Sequence, residues 1–140
     1  MSVRSDHGFT LLEPLGRARM VDVWQMEATH IRSIARGRVS MTPDTASDVA
    51  QGAIKKGDVL AVARVAGIQA AERAADLLPL CHPLRVGAVT NNFEINEDSG
   101  ESEAQVETVD RSGGEMEALT ACSVAALTVY DMCKSRDRAL

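Results

Sequence analysis

Two alanine-rich segments, residues 58–78 and 115–135, constrain the fold of this chain more than any other part of its sequence. The first begins with Asp58, a candidate helix N-cap, and is closed by Pro79, which cannot continue a helix. Only 3% of the residues are aromatic, so the core must be built from Ala, Val, Leu, Ile and Met. Such side chains favour closely packed helices, and Gly67 in the first segment predicts a position where another backbone approaches closely.

Strand patterns lie before and between these helical segments. Residues Gly37–Met41 alternate apolar and polar side chains, and two further strands are predicted at Val86–Ile95 and Ala104–Val109, joined by the acidic turn EDSGES. A short helix is predicted over residues 43–53, with Gly52 at its end. Strands followed by packed helices indicate an α+β fold with the helices on one face of an antiparallel sheet.

The size and charge of the chain exclude several classes of protein. Its 140 residues make one domain with a real core, preceded by a loose arm over residues 1–19. A net charge of −5 argues against a general nucleic-acid surface. No apolar stretch reaches the roughly 18 residues that span a membrane, and the first residues contain no apolar signal core. We therefore expect neither nucleic acid nor a membrane as a partner.

Three cysteines indicate a reducing compartment. Cys81, Cys122 and Cys133 are an odd number without the spacing of a metal site, which is typical of reduced thiols in the cytoplasm. Cys122 and Cys133 lie in the second helical segment and are predicted to pack in the core. No spacing requires a metal ion, and we expect no cofactor.

Two clusters of polar residues near the first helical segment are candidates for chemistry. Lys55 and Lys56 stand directly before a helix N-terminus, which attracts anions, although a solvated basic turn would have the same sequence. His82 lies between two prolines in LLPLCHPL. The stiffened backbone there either aims the imidazole ring at a ligand or simply forms a corner between two elements.

A third cluster lies on the second helical segment. Its first residues are Glu115, Met116 and Glu117. Acidic side chains at a helix N-terminus can simply interact favourably with the helix dipole. Asp131 and Lys134 are close together near its end and can simply form a surface ion pair. The surrounding helix is mostly apolar, however, and charged groups in such a setting are usually paired and often functional.

Three longer stretches resemble a known family. MVDV at 20–23, KKGDVLAVARVAGIQAAERAADLLPLCHPL at 55–84 and GGEMEALTACSVAALTVYDMCK at 113–134 are similar to the cyclic pyranopterin monophosphate synthases, the molybdenum cofactor biosynthesis protein C family. The resemblance makes residues 20–140 a synthase-like domain. It implies a ferredoxin-like fold and a homohexamer, a trimer of dimers, with active sites at subunit interfaces.

The resemblance also implies a reaction and a set of site residues. The family converts the cyclised dihydro derivative of GTP into cyclic pyranopterin monophosphate and releases pyrophosphate. By resemblance, the catalytic residues are Lys56, Asp131 and Lys134. Substrate contacts are expected from Leu80, Cys81, His82, Glu115, Met116 and Glu117, with further cations for the triphosphate from Arg64, Arg73 and Arg111.

Several positions depart from the family pattern. Trp24 and Met26 stand where the family usually has a serine and a lysine, Ile31 where an arginine is usual, and Glu72 where a lysine is usual. Each lost charge-assisted contact to a triphosphate costs about 1–3 kcal/mol. The family also continues with a final strand and a Gly/Lys-rich tail, and we expect the last strand of the sheet to be missing here. Either the chain is truncated, or a partner or the N-terminal arm covers the sheet edge that would otherwise be exposed. An alternative therefore stays open: a diverged or truncated non-catalytic paralogue that binds a nucleotide or pterin, or that co-assembles with a full-length synthase.

Overall fold

The computed structural model describes residues 2–4, 29–110 and 113–140. In chain order, the elements in these ranges are β1 (Ser2–Arg4), β2 (Thr29–Ser40), α1 (Pro43–Gln51), α2 (Val59–Glu72), α3 (Ala74–Leu77), β3 (Val86–Ile95), β4 (Ser99–Asp110) and α4 (Glu115–Cys133). From β2 to α4 the main elements of the described residues follow the order strand, helix, strand, strand, helix, which is the ferredoxin-like order without its final strand. The expected α+β fold class is confirmed.

The four strands form one antiparallel sheet in the order β1–β2–β4–β3. β2 and β4 pair along their whole length, from Thr29 opposite Asp110 to Ser40 opposite Ser99. β1 pairs with the other side of β2, with Arg4 opposite Arg32. The first residues of the chain therefore cover part of the outer edge of β2, one of the possibilities raised for the exposed edge.

The sheet has one packed face and one open face. Alternate residues of β4, such as Ala104 and Val106, are fully buried against the helices. The residues between them lie on the open face, where Arg36 Nε donates to Glu103 Oε2 at 2.8 Å across β2 and β4. Helices on a single face of an antiparallel sheet were the expected arrangement.

α2 and α4 pack against each other on the buried face through small side chains. Ala63, Ala121 and Ala125 are all fully buried between the helices and the sheet. At Gly67, a Cβ would stand 3.1 Å from the carbonyl oxygen of Ala121 and 2.9 Å from Cγ of Asn91. The close approach predicted at Gly67 is therefore confirmed.

The helix ends follow their sequence signals with one exception. α1 ends at Gln51, and Gly52 caps it in the left-handed region at φ 69°. The Asp58 side chain caps α2 by accepting from the Ala61 amide at 3.1 Å. A single helix over residues 58–78 was wrong, because Arg73 leaves helical geometry (φ −111°, ψ 11°) and divides the segment into α2 and α3.

Two strand boundaries differ from the predicted ones, while β3 agrees with its prediction. β2 begins at Thr29, well before Gly37, and β4 begins at Ser99, inside the predicted turn EDSGES. The strands extend further because Arg36 and Arg38 of β2 lie opposite Glu103 and Glu101 of β4. Cross-strand pairs of opposite charge stabilise a sheet on its solvated face.

Some predicted features fall outside the described residues. These are the loose arm beyond β1, the MVDV stretch, Trp24, Met26 and Arg111.

Candidate active site

Lys56, Asp131 and Lys134 meet at the C-terminal end of α4. Lys134 Nζ lies 2.9 Å from Asp131 Oδ1. Lys56, in the turn before α2, donates from Nζ to the backbone carbonyl oxygen of Asp131 at 3.2 Å. The structure thus brings together, from two distant parts of the sequence, the three residues that the resemblance implies are catalytic. We call them the lysine–aspartate cluster.

The turn that carries Lys56 is anchored on both sides. Ile54 is buried in the same core cluster as Val59 and Met132. The Gly57 amide donates to the Ile54 carbonyl oxygen at 3.1 Å, and Gly57 adopts a φ of 128°, which side chains with a Cβ rarely allow. Lys56 is therefore an exposed residue between two fixed ones.

Asp131 is held in its ionised form by the two lysines. The hydrogen bond and charge of Lys134, followed by the charge of Lys56, lower the pKa of the Asp131 carboxyl below its ordinary value of 3.8. The Asp131 and Lys134 side chains are 60% and 41% exposed, so solvent screens their attraction. An ionised carboxylate beside two accessible ammonium groups can accept a proton and can hold a phosphorylated ligand.

A hollow of about 440 Å³ opens beside Asp131 and Lys134. Leu127, Thr128 and Tyr130, from the same helix, complete its lining. Because Leu127 is 65% exposed and Tyr130 half-buried, the hollow offers apolar and aromatic surface next to the charges. None of these three residues was predicted as a site residue. Helical spacing could have indicated Leu127, because positions 127, 131 and 134 lie on one face of a helix.

A second cluster lies at the N-terminal end of α4. The Cys81 thiol donates to Glu117 Oε2 at 3.7 Å, and Glu117 is only 3% exposed. Burial raises the pKa of the Glu117 carboxyl and the Glu115 charge adds to the rise, while a hydrogen bond to its own backbone and the Cys81 thiol oppose it. Burial, followed by the Glu117 charge, also raises the pKa of the Cys81 thiol, which therefore stays protonated and donates.

Other predicted substrate contacts lie near this cysteine–glutamate cluster in the sequence. Leu80, which precedes Cys81, is 94% exposed, and Met116, which precedes Glu117, is 42% exposed. His82 lies in the exposed segment between α3 and β3. Exposed apolar side chains next to a buried carboxyl are typical of a surface that binds a ligand or a partner. The orientation of His82 towards a phosphate stays a prediction.

The predicted arginines occupy different places. Arg64 Nε donates to the Asn91 carbonyl oxygen at 3.2 Å, and its guanidinium carbon lies 5.8 Å from the centre of the Phe93 ring, so Arg64 lies against β3. Arg73 is exposed at the junction of α2 and α3. Substrate contacts from both residues stay predictions, as does the role of Arg111.

The two clusters do not meet within one chain. Glu117 and Asp131 lie near opposite ends of α4, about 21 Å apart at the helical rise of about 1.5 Å per residue. A side chain from one cluster cannot reach the other. Any site that uses both clusters needs either a long ligand or a second chain.

Three further observations on the described residues bear on function. A hollow of about 670 Å³ lies on the sheet, and its charged lining residues are Arg36, Arg38, Glu94, Glu101 and Glu103. Nowhere in the described ranges do three or more His, Cys, Asp or Glu side chains lie where they could hold a metal ion. The helices described there also include none that is long and apolar enough to cross a membrane.

The fold and the two clusters together define a class of protein. It is an α+β protein with a ferredoxin-like sheet, in which one helix carries a lysine–aspartate cluster at one end and a buried glutamate at the other. The chain belongs to the MoaC family, whose family model matches residues 20–140.

Three similar proteins are each named cyclic pyranopterin monophosphate synthase. The protein of Thermomicrobium roseum is 57% identical over 133 residues, which cover 94% of this chain and 80% of the relative. That of a Roseiflexus species is 54% identical over 131 residues, 92% of this chain and 83% of the relative. That of Heliobacterium modesticaldum is 53% identical over 131 residues, 92% of this chain and 82% of the relative. The resemblance found in the sequence is confirmed.

Proposed function

We propose that this chain is a cyclic pyranopterin monophosphate synthase, a lyase of molybdenum cofactor biosynthesis. It converts (8S)-3′,8-cyclo-7,8-dihydroguanosine 5′-triphosphate into cyclic pyranopterin monophosphate and releases pyrophosphate. The observation that carries the proposal is the Asp131–Lys134 ion pair at 2.9 Å, completed by Lys56, in a chain of the MoaC family. The three unpaired cysteines fit an enzyme of the cytoplasm.

The lysine–aspartate cluster supplies proton transfer and positive charge. Opening and rebuilding rings derived from a purine needs groups that take up and release protons. Asp131, which the lysines keep ionised, accepts a proton, while Lys56 and Lys134 stabilise developing negative charge. Closing a cyclic phosphate as pyrophosphate leaves needs positive charge and correct orientation more than a covalent partner.

The cysteine–glutamate cluster has a different chemical character. Because burial raises the pKa of Glu117, this carboxyl takes up a proton more readily than Asp131 does. Both forms of a carboxyl can hydrogen-bond to the edge of a purine or pterin ring. Leu80 and Met116 present exposed apolar surface for the ring faces, and His82 adds a donor for a phosphate.

We also propose that the active sites are shared between chains of a homohexamer, a trimer of dimers. The two clusters lie about 21 Å apart on α4, and a second chain would place one cluster beside the other. Val62, Val65 and Ile68 form an exposed apolar stripe on α2, with exposures of 44%, 54% and 37%. Apolar surface of this kind is typical of a protein interface.

Turnover by the purified chain tests the proposed reaction. Given the cyclised GTP derivative, the wild type is expected to release pyrophosphate and to form a product with the mass of cyclic pyranopterin monophosphate. Lys56→Ala is expected to lower kcat by about 100-fold or more, as loss of a charge-stabilising donor commonly does. Lys55→Ala, the same change one residue away, is the control and is expected to keep the wild-type kcat.

A folded, assembled wild type that binds the substrate and forms no product would overturn the synthase proposal. That result would favour the non-catalytic paralogue, in which departures from the family pattern have removed substrate contacts. Of those departures, Ile31 is buried in the core at 7% exposure, whereas Glu72 is exposed at the end of α2. Glu72→Lys would then be the next variant to assay.

A further inference from the structure

A buried carboxylate three residues beyond Lys134 attaches the end of the chain to the start of α1. Asp137 Oδ2 accepts from the Thr42 amide at 2.9 Å and from the Thr45 hydroxyl at 3.3 Å. Asp137 Oδ1 accepts from the Ala139 amide at 2.9 Å. These hydrogen bonds lower the pKa of the Asp137 carboxyl, the Thr42 amide contributing most, so the group is ionised at neutral pH. We call this set of contacts the Asp137 clamp.

A second contact holds the same two elements together further along α1. Arg136 Nε donates to Asp48 Oδ2 at 2.8 Å, and Arg136 Nη2 lies 3.9 Å from Asp44 Oδ2. The segment that follows Lys134 is therefore fixed both at the beginning and in the middle of α1. Because this segment continues directly from α4, the end of α4 and the whole of α1 behave as one packed unit.

α1 leads in turn to the residue that completes the lysine–aspartate cluster. After α1 and its cap Gly52, Ile54 packs in the core cluster that also contains Met132 and Cys133 from α4. Lys56 follows two residues later and reaches the carbonyl oxygen of Asp131. The distance from Lys56 to α4 therefore depends on where α1 is held.

We propose that Asp137 is a positioning residue for the active site: by fixing α1 to the chain beyond Lys134, it keeps Lys56 against Asp131. Asp137 itself is buried, and its carboxylate oxygens are occupied by the Thr42, Thr45 and Ala139 donors, so it acts through Lys56 and not on a ligand. The inference rests on the proposed function, since it assumes that the lysine–aspartate cluster is catalytic. It assigns a role to residues that follow the last motif of the family resemblance, which ends at Lys134.

The test compares two aspartates of the same region. Asp137→Asn replaces one carboxylate oxygen by an NH₂ group, which cannot accept a hydrogen bond. Whichever way the amide is placed, this group faces the backbone N–H of either Thr42 or Ala139, and that hydrogen bond is lost. Asp44→Asn makes the same change of charge in the first turn of α1, on a side chain that is 86% exposed. It removes only the long 3.9 Å pair with Arg136 and leaves the Asp137 clamp and the Arg136–Asp48 hydrogen bond intact. Both variants are assayed for kcat and KM, and the Asp131 carboxyl is titrated by carbon-13 NMR.

The pKa of Asp131 is sensitive to the position of Lys56, whose charge lowers it together with the larger contribution of Lys134. If the clamp positions Lys56, Asp137→Asn moves Lys56 away and the pKa of Asp131 rises towards its ordinary value, since the Lys56 charge contributes to lowering it. Removing the negative charge of Asp137 would by itself act in the opposite direction, by favouring the ionised form of Asp131. The sign of the change therefore separates a movement of the lysines from a direct effect of charge. The same titration in a Lys56→Ala background isolates Lys56, because there Asp137→Asn should no longer raise the pKa of Asp131.

For Asp137→Asn we expect a rise in the pKa of Asp131 and a fall in kcat of about 10- to 100-fold with little change in KM, because misplacing a reacting group by about 1 Å can cost a hundredfold. Asp44→Asn is expected to change neither quantity. An unchanged or lowered pKa of Asp131 in Asp137→Asn would overturn the inference, and so would a raised pKa with wild-type kcat.

The NMR titration needs no substrate, so it decides the inference even if the wild type shows no turnover and the proposed function fails. Should Asp137→Asn not fold, Thr45→Val replaces the hydroxyl that donates to Asp137 by a methyl group of similar size. Thr45→Ser keeps a hydroxyl and is its control. For Thr45→Val we expect the pKa of Asp131 to rise and kcat to fall, each by less than in Asp137→Asn. A folded Thr45→Val chain in which neither quantity changes would contradict the clamp.

Discussion

Asp131 and Glu117 are carried by one helix, yet their environments shift their pKa values in opposite directions. Asp131 is 60% exposed beside two lysines, which lower its pKa, whereas Glu117 is 3% exposed and burial raises its pKa. Two carboxyl groups whose pKa values are pushed apart can divide the roles of acid and base between them. The resemblance nominated both residues. Their burial was not predictable from the sequence, because it depends on which elements cover each end of α4.

Glu117→Gln tests the raised pKa through stability. Between its ordinary pKa of 4.5 and its raised value, Glu117 binds more protons in the folded protein than in the unfolded chain. The wild-type free energy of unfolding therefore falls as pH rises through this window. Glutamine does not titrate. We therefore expect the free energy of unfolding of Glu117→Gln, minus that of wild type, to increase above pH 4.5 and then to level off.

Urea unfolding of both chains at a series of pH values measures this difference. Glu115→Gln, which changes a neighbouring and less buried carboxyl, is the control for the loss of one negative charge at this end of α4. A difference between Glu117→Gln and wild type that does not vary with pH would contradict a raised pKa at Glu117.

At the scale of the elements, β3 and the helices, apart from the break at Arg73, could be predicted because their signals are local. Caps such as Gly52 and Asp58 act within one turn of their own helix. β2 and the start of β4 could not be predicted in full. Their packed faces carry small or polar residues such as Ser33 and Ser102, both buried, so the alternation of apolar and polar residues is weak. These residues form strands because β2 and β4 pair with each other, and this pairing joins residues that are far apart in the sequence.

The crossing of α2 over β3 and α4 depends on the absence of a side chain at Gly67. In Gly67→Ala the new methyl group would meet Asn91 and the Ala121 carbonyl oxygen. We expect a loss of about 1–3 kcal/mol in the free energy of unfolding, as is typical of overpacking. This loss outweighs the gain of about 1 kcal/mol that alanine brings to an unhindered helix.

Chemical denaturation of the single and double variants checks the cause. Among the described residues, both side-chain polar atoms of Asn91 are buried without a hydrogen-bond partner, so Asn91→Ala removes the obstacle at small cost. The double variant Gly67→Ala, Asn91→Ala should regain most of the stability lost in Gly67→Ala. If Gly67→Ala lowers the free energy of unfolding by the same amount in wild type and in Asn91→Ala, the obstacle at Gly67 is not Asn91.

At the scale of the whole molecule, the two clusters at opposite ends of α4 are the main constraint on function. The sequence and the family resemblance predicted the members of both clusters as site residues. The structure places Lys56, Asp131 and Lys134 close together. The separation of the clusters follows from the length of α4. The proposed site shared between chains would account for both clusters, with the exposed stripe of Val62, Val65 and Ile68 as the proposed contact surface.

Mixing two inactive variants tests this account most directly. Asp131→Ala removes the acceptor from one cluster, Glu117→Ala removes the buried carboxyl from the other, and each homogeneous protein is expected to lose activity. Assembled together at random, they should regain about a quarter of the wild-type sites, since half of the two-fold pairs are mixed and each mixed pair has one intact site. Turnover of the cyclised GTP derivative is measured on particles shown by mass spectrometry to contain both chains. Recovery to that level would support sites built from two chains, whereas mixed particles that stay as inactive as the separate variants would contradict it.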